Sequence, residues 1–357
     1  MSYPILYDST ETDFTSNGFG FLTDCIQCEV SEEANGEFEL LLRYPIDGIH
    51  FENINVRCVI KAKLDEHREP QLFRIYSISK PMSKIVTVKA HHISYDLSGI
   101  PVSPFSALNT QDAFAGLKAN VVIDCPFEFW TDKETESNFS VVFPSSIRAN
   151  LGGSEGSILD VYGGEYEFDN YTVKLYNNRG EDRGVSIRYG KNLLDINQEE
   201  STASIATGVY PYWVDSATSS VFELPEKIVR VDGEYNFERV LPIDLSANFD
   251  SQPTEDQLRD FAKAYMVKNQ IGSPSVSLSV SFAQIDKSEE YKHLKLFERV
   301  SLFDTISVEF PMLKVSTKAK VVKIVYDVLL DRVKNAYVGS IKTNIADTVA
   351  KLQSSNK

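Results

Sequence analysis

Few residues in this chain have the types and spacing that chemistry requires. Cys25-Ile26-Gln27-Cys28 has the spacing of a zinc knuckle or a redox pair, but Cys58 and Cys125 stand alone, so no second CxxC and no HxxxH completes a metal site. Gly20 to Val30 reads as a strand, on which residues three apart point to opposite faces. Plain packing or exposure of the thiols is the simpler reading, with a redox or metal role as the alternative. His91-His92 is the one histidine pair; adjacent strand residues face opposite ways, which predicts one buried, hydrogen-bonded imidazole and one exposed one rather than a shared metal. No HExxH or HxH spacing occurs, and no GxSxG elbow marks a nucleophile.

Three weaker constellations remain. Glu165 and Glu167 share one strand face, as an acid/base pair would, although 51 acidic residues make chance pairs expected. Gly152-Gly153-Ser154-Glu155-Gly156 offers backbone amides at the start of a helix, where an anion could sit. It lacks the lysine of GxxxxGK[ST] and places Glu155 against an anion, so a structural turn is the better reading. Phe127-Glu128-Phe129-Trp130, Tyr162 to Tyr171 and Tyr210-Pro211-Tyr212-Trp213 could stack sugars, whereas 17 Tyr and 21 Phe in a strand-rich chain make core and cross-strand pairing the default. No residue is assigned a catalytic, cofactor-binding or metal-binding role, and no cofactor is expected.

The elements that would position these residues are mostly strands. In Ser275 to Phe282, Val276, Leu278, Val280 and Phe282 alternate with serines, the mark of a half-buried antiparallel strand. Further strands read at Phe38 to Tyr44, Arg57 to Leu64, Gln71 to Lys80, Ile85 to His92, Tyr166 to Tyr176, Asp182 to Tyr189, Thr202 to Trp213, Thr305 to Phe310 and Lys318 to Leu329. Tyr171 to Tyr176 and Gly184 to Tyr189, joined by a turn-rich stretch, predict a hairpin. Capping chemistry predicts helices over Thr110 to Gly116, Ser154 to Tyr162 and Thr254 to Asn269, the last with Thr254 as N-cap and Gln257 in the first turn. A last amphipathic helix runs from Ser340, with Ile341, Ile345, Val349 and Leu352 on one stripe.

Composition excludes several classes. The 357 residues are 42% hydrophobic and 24% charged, an ordinary globular balance for two to four domains. A net charge of −15 argues against nucleic-acid binding through a basic face. No run reaches the roughly 18 to 20 uncharged apolar residues of a membrane span, and Met1-Ser2-Tyr3-Pro4 opens no secretory signal, which predicts synthesis and solubility in the cytoplasm. Four cysteines are too few for a disulfide scaffold. Ile196 to Asp260 carries thirteen Asp and Glu against four Lys and Arg, while Leu313 to Lys342 carries seven basic residues against Asp327 and Asp331. Neighbouring copies or domains could complement each other in this way, or the two runs could simply be solvated faces.

Specific segments carry a resemblance. Tyr44-Pro45, Gln71-Leu72-Phe73-Arg74-Ile75-Tyr76 and Ala90-His91-His92-Ile93-Ser94-Tyr95-Asp96-Leu97 occur in an order that resembles the N-terminal region of the siphophage tail-associated lysin, or prophage tail endopeptidase, family. Leu151 to Asp160, Gly163 to Val173 and Ile187 to Leu193 are similar to that family's most recognisable block, and Val300 to Val308 with Val321 to Gly339 to its closing part.

The resemblance implies a mainly β, multi-domain phage tail hub with α+β insertions, built from two tube-like β-barrel domains and two smaller inserted domains. Residues 1–97, completed by 187–213, would form the first tube-like domain, and 98–186 an inserted α+β domain. Residues 214–339 would form the second tube-like domain, with a helical insertion near 254–270, and 340–357 a C-terminal helix or linker. It further implies a homotrimeric ring at the distal tip of the virion tail that closes the tube and opens for genome ejection. The partners it implies are the distal tail protein, the tail tube, the tape-measure protein and receptor-binding or cell-wall components. In lytic members a peptidoglycan-cleaving module follows the hub, so no hydrolase site is expected within these residues. The alternatives are an endopeptidase with its catalytic site in or beyond the chain, and a carbohydrate-binding adhesin.

Overall fold

Strands from both ends of the chain meet in one large sheet. The computed structural model describes residues 3–64, 68–154, 156–201, 206–215, 218, 220–231, 236–249, 251–268, 271–272, 275–282, 300–313 and 315–339. The helix expected from Ser340 lies outside them, as do Glu155 and residues 202–205 of the expected strand from Thr202. The described chain is mainly β, and it divides into two compact units, residues 1–197 with 278–357, and residues 198–277.

The main sheet has 13 strands, running along its path Gly20–Phe21, Ile5–Tyr7, Val59–Ala62, Gln71–Ser79, Ile85–His92, Phe38–Pro45, Gln27–Glu33, Val315–Asp327, Arg332–Gly339, Ser275–Phe282 and Leu193–Ser201. Alternation builds its core. Phe38, Leu40, Leu42 and Tyr44 point inward between Glu39, Leu41 and Arg43, and antiparallel register sets Leu40 opposite Ala90, Leu42 opposite Val88 and Tyr44 opposite Val86. Each such fully buried aliphatic side chain contributes about 1.5–3 kcal/mol. Val315–Asp327 is long enough to change neighbours: residues 323–327 pair with Gln27–Glu33, while residues 315–320 pair with Thr305–Phe310, to which Ser186–Arg188 adds in parallel.

Residues 98–186 contribute short strands, three helices and a three-stranded sheet in which Thr172–Tyr176 pairs antiparallel with Glu165–Asp169 and parallel with Glu128–Thr131. This corrects the expected hairpin between Tyr171 to Tyr176 and Gly184 to Tyr189. The tight turn is Asn170-Tyr171, with Asn170 in the left-handed region (φ 49°) that Asn tolerates, and it folds Thr172–Tyr176 back on the preceding strand instead. Ile93, Leu97, Ile100 and Val102 belong to one apolar core that runs on into Phe114, Phe139 and Tyr166, so packing is continuous across the sequence boundary at 97/98.

Two expected helices shift their ends. Thr110–Ala119 is capped by Asn109, whose side chain accepts from the Asp112 amide at 2.8 Å, and it runs through Gly116 because the Phe105 ring fills the space a Cβ would take there. The other starts at Ile158 rather than Ser154, and stops at Gly163 with φ 65°.

The second unit centres on Gly208–Val214, flanked antiparallel by Val221–Glu223 and Val229–Arg230 and in parallel by Val240–Asp244. Helix Glu255–Lys268 closes it through Leu258, Ala262 and Met266 against Val209, Ile243 and Leu245. Thr254 and Gln257 form the expected capping box, with the Thr254 amide donating to Gln257 at 2.9 Å and the Gln257 amide to Thr254 at 3.3 Å. Compactness thus places its boundaries at 197/198 and 277/278, where the sequence reading divided the chain at 186/187 and 213/214.

In the larger unit, the chain after Tyr176 is pinned by close backbone approach. Buried Asp304 accepts from the amides of Glu181 (3.0 Å) and Ser301 (2.8 Å) and pairs with Arg183, while a Cβ on Gly180 would stand 1.9 Å from the Phe303 carbonyl oxygen. Gly180→Ala is expected to cost about 1–3 kcal/mol by overpacking, read as a lower midpoint in urea, while Gly99→Ala, with open space around it, changes little.

Candidate functional site

The polar residues with chemical potential converge where the hairpin Glu165–Asp169/Thr172–Tyr176 rests on the large sheet. Gln71, fully buried at the start of its strand, lies at the centre. Its Oε1 accepts from the Asn170 amide at 2.8 Å and lies 3.1 Å from His92 Nε2, and its Nε2 donates to Asp169 Oδ1 and to the Glu69 carbonyl, both at 2.9 Å. The Ser94 amide donates to His92 Nδ1 at 3.2 Å, which makes Nδ1 the acceptor and Nε2 the protonated nitrogen that donates to Gln71. Asn170 completes the clasp by accepting from the Leu72 amide at 2.9 Å and donating to the Pro70 carbonyl at 3.2 Å. Asn35 adds a second clasp, accepting from the Tyr166 amide at 2.8 Å and donating to the Gly164 carbonyl at 3.0 Å.

Beside these bonds lies an ion-pair network. Arg68 meets Glu32 at 2.6 Å and Glu167 at 4.0 Å; Arg179 meets Glu32 at 3.5 Å and Glu167 at 3.6 Å; Lys174 meets Glu167 at 3.6 Å and Asp169 at 3.0 Å. Arg179, Arg68 and Lys174 outweigh burial and hold the Glu167 carboxyl below the usual carboxylate range, with the Tyr176 hydroxyl donating to it at 3.0 Å. Glu165 accepts from Lys320 at 2.5 Å and from the Arg179 amide at 2.7 Å. The two carboxylates of the expected acid/base pair are thus both tied to cations. Glu167, held in its charged form, lacks the raised affinity for a proton that a general acid at neutral pH requires.

The other sequence candidates are equally occupied. His92 is buried and stacks on Phe38 at 4.3 Å; burial, with Arg68 and Arg148 nearby, keeps it neutral. His91 is half-buried rather than exposed as expected, because Tyr76 and Tyr95 sandwich its ring at 3.9 and 4.3 Å. Arg148 then lies over both Tyr95 (4.3 Å) and Phe168 (4.7 Å). Cys25 precedes the Gln27–Glu33 strand instead of lying within it, so both thiols are buried in the core, and burial pushes Cys28 well up. Among the described residues no group of three or more His, Cys, Asp or Glu converges to hold a metal ion. At the glycine-rich turn, the Gly156 amide donates to Asp160 at 2.9 Å, so a carboxylate of the chain already takes the place of an anion.

Of the aromatic candidates, Phe127 is buried and Trp130 is exposed beside Tyr176 at 5.0 Å. Tyr210, Tyr212 and Trp213 are half-buried, and the Tyr210 hydroxyl donates to Glu223. Four lysines of the basic run pair within their own unit: Lys318 with Asp182, Lys320 with Glu165, Lys323 with Glu33 and Glu37, Lys334 with Glu29. Sequence reasoning missed Asn35, Arg68, Gln71, Asn170 and Arg179. The one available signal was a glutamine at an inward position of an apolar strand.

The fold is that of prophage tail proteins. The crystal structure of prophage tail protein gp18 from Listeria monocytogenes EGD-e is 14% identical with a TM-score of 0.59, covering 99% of this chain and 99% of that one. The 43 kDa tail protein of prophage MuSo2 from Shewanella oneidensis is 10% identical with a TM-score of 0.62, covering 96% of this chain and 99% of that one. A tail protein from Neisseria meningitidis MC58 is 8% identical with a TM-score of 0.56, covering 96% and 98%. Residues 181–349 match the family described as prophage endopeptidase tail. No curated protein matches the sequence.

Two measurements check the clasp and its surroundings. Gln71→Leu removes the partner of His92, Asp169 and the Asn170 amide together and is expected to cost about 2–4 kcal/mol, given about 1–3 kcal/mol per buried group left unpaired, read by urea unfolding. Glu39, beside Glu37, Lys89 and Tyr76, is raised to about 7, first by burial and then by Glu37. It binds its proton more tightly folded than unfolded, so its stabilising share is complete below pH 4.5 and lost as pH rises through about 7. Glu39→Gln is therefore expected to raise the Tm at pH 8 and to change it little at pH 4.

Proposed function

We propose that the chain is a structural hub protein at the distal tip of a long-tailed phage. Three copies form a ring that closes the tail tube, joins it to the distal tail protein and host-binding parts, and opens for the tape-measure protein and the genome. The observation that carries this reading is the likeness in fold to prophage tail proteins over nearly the full length of both chains, joined to the family match at 181–349. On this reading the chain acts without catalysis although the family's description names an endopeptidase. The engagement of Glu165, Glu167, His91 and His92 in structural contacts supports a non-enzymatic role.

The net charge of −15 gives the ring a physical advantage: a channel lined with carboxylates does not hold passing DNA, whereas a basic one binds it by counterion release. Light scattering across a concentration and salt series tests the assembly. A species of three times 40.2 kDa is expected. A chain that stays monomeric at every concentration, and also when purified distal tail protein is added, would contradict the reading.

A further inference from the structure

The three-stranded sheet of residues 98–186 has one face on the core and one toward solvent. Inward, Tyr166, Phe168, Val173 and Leu175 are buried, and Phe129 packs against Phe114 with ring centroids 5.7 Å apart. Register fixes what the other face carries, because residues directly opposite in a ladder lie on the same side of the sheet. One row across the three strands is Trp130, Lys174 and Glu167, and the next is Glu128, Thr172 and Asp169. Tyr176, two residues beyond Lys174, stands on the same face, its ring centroid 5.0 Å from that of Trp130 and the planes at 57°.

The two ends of this face differ. At the Glu167 end the chain occupies its own surface: Arg68 and Arg179 lie 4.0 and 3.6 Å from the carboxylate, and the Tyr176 hydroxyl donates to it at 3.0 Å. At the Glu128–Thr131 edge the Trp130 ring is 44% exposed. Among the described residues, neither its indole N–H nor the Thr172 hydroxyl has a hydrogen-bond partner. A single exposed apolar residue needs no explanation. An indole in register with an ammonium, with a free hydroxyl and a carboxylate in the next row and a second ring beside it, is an assembled set of groups.

Three properties of that set select its ligand. The negative face of an aromatic ring attracts polarised C–H bonds, which a gluco-configured pyranose presents on both sides of a ring about the size of an indole. Lys174 beside Trp130 disfavours a cation and Glu128 in the next row disfavours an anion, which leaves a neutral molecule. Sugar hydroxyls both donate and accept, and so suit a face that offers an indole N–H, a threonine hydroxyl, an ammonium and a carboxylate. A protein partner is poorly served, since the exposed apolar area is one ring and part of another, against the roughly 800 Å² that each side buries in a specific complex. We propose that Trp130, with Tyr176, Thr172, Lys174 and Glu128 around it, binds a neutral saccharide, one pyranose ring lying on the indole. The site lies within residues 98–186, goes beyond the structural role proposed above, and stands whether or not the chain is a hub.

Cellotriose and N-acetylchitotriose serve as neutral probes, titrated into the full chain with isotope-labelled tryptophan and followed by the indole N–H signals of Trp130 and Trp213 in NMR spectra. Trimers of galacturonic acid and of glucosamine are the charged controls. At least one neutral trimer is expected to shift the Trp130 signal saturably with a Kd on the order of 1 mM, leaving the Trp213 signal in place. Both charged trimers are expected to bind about tenfold more weakly, and the neutral one to change less than about twofold between about 50 and 300 mM salt. Read by saturation transfer to the saccharide, Trp130→Ala is expected to weaken binding about tenfold, equivalent to about 1.4 kcal/mol, and Thr172→Val several-fold, both with unchanged circular dichroism. Since the indole is exposed and the Thr172 hydroxyl bonds no group of the chain, neither substitution removes a core contact. No saturable shift from either neutral trimer at about 20 mM, roughly twenty times the expected Kd, would overturn the proposal. So would equal or tighter binding of a charged trimer, a shift at Trp213 in place of Trp130, or unchanged binding in either variant.

Discussion

The clasp centred on Gln71 is the interaction on which the arrangement of the larger unit depends. A buried amide must satisfy both its donors and its acceptor or cost stability, and here every one of those bonds crosses between the large sheet and the Glu165–Asp169/Thr172–Tyr176 hairpin or orders the ends of the sheet's own strands. His92 is held neutral by burial and in one tautomer by the same set, and Arg68, Arg179 and Lys174 balance Glu32, Glu167 and Asp169 alongside. A polar joint of this kind fixes register and angle more tightly than apolar packing alone, because sliding by one residue would orphan several groups at once. The residues that look most like catalytic candidates in the sequence are the ones this joint consumes.

A second constraint is the long strand Val315–Asp327. Pairing of its residues 323–327 with Gln27–Glu33 places strands of the first hundred residues and strands of the family segment at 181–349 in one sheet. The resemblance to prophage tail proteins is therefore a property of the whole chain, although the family match covers its C-terminal part. Chain ends joined through a central ladder also give the fold many contacts of high sequence separation, which favours slow folding.

What the sequence made legible follows from which physics is local. Phe38 to Tyr44, Gln71 to Lys80 and Ile85 to His92 show their strands through alternation, and Thr254 with Gln257 shows a helix start through its cap, because each depends on neighbours a few residues away. Partner choice is not local. Thr172–Tyr176 returned to Glu165–Asp169 rather than pairing onward, and Gly116 sits inside a helix because a ring from another strand needs its space. The same holds for charge: four lysines of the C-terminal strands meet carboxylates more than a hundred residues away in the sequence, at Asp182, Glu165, Glu33 and Glu29. The clasp was invisible because Gln71, Asn170 and Asn35 form no motif until the strands bring them together.

The central claim is that these ionisable groups serve structure and that the chain works as a tail component rather than as a hydrolase. Incubating the purified chain with isolated peptidoglycan of Gram-positive and Gram-negative type, and assaying released amino groups and reducing ends, tests it most directly. The account predicts release no greater than in buffer at any pH from 5 to 8. Release above that level which disappears in Glu167→Gln while the protein stays folded would contradict it.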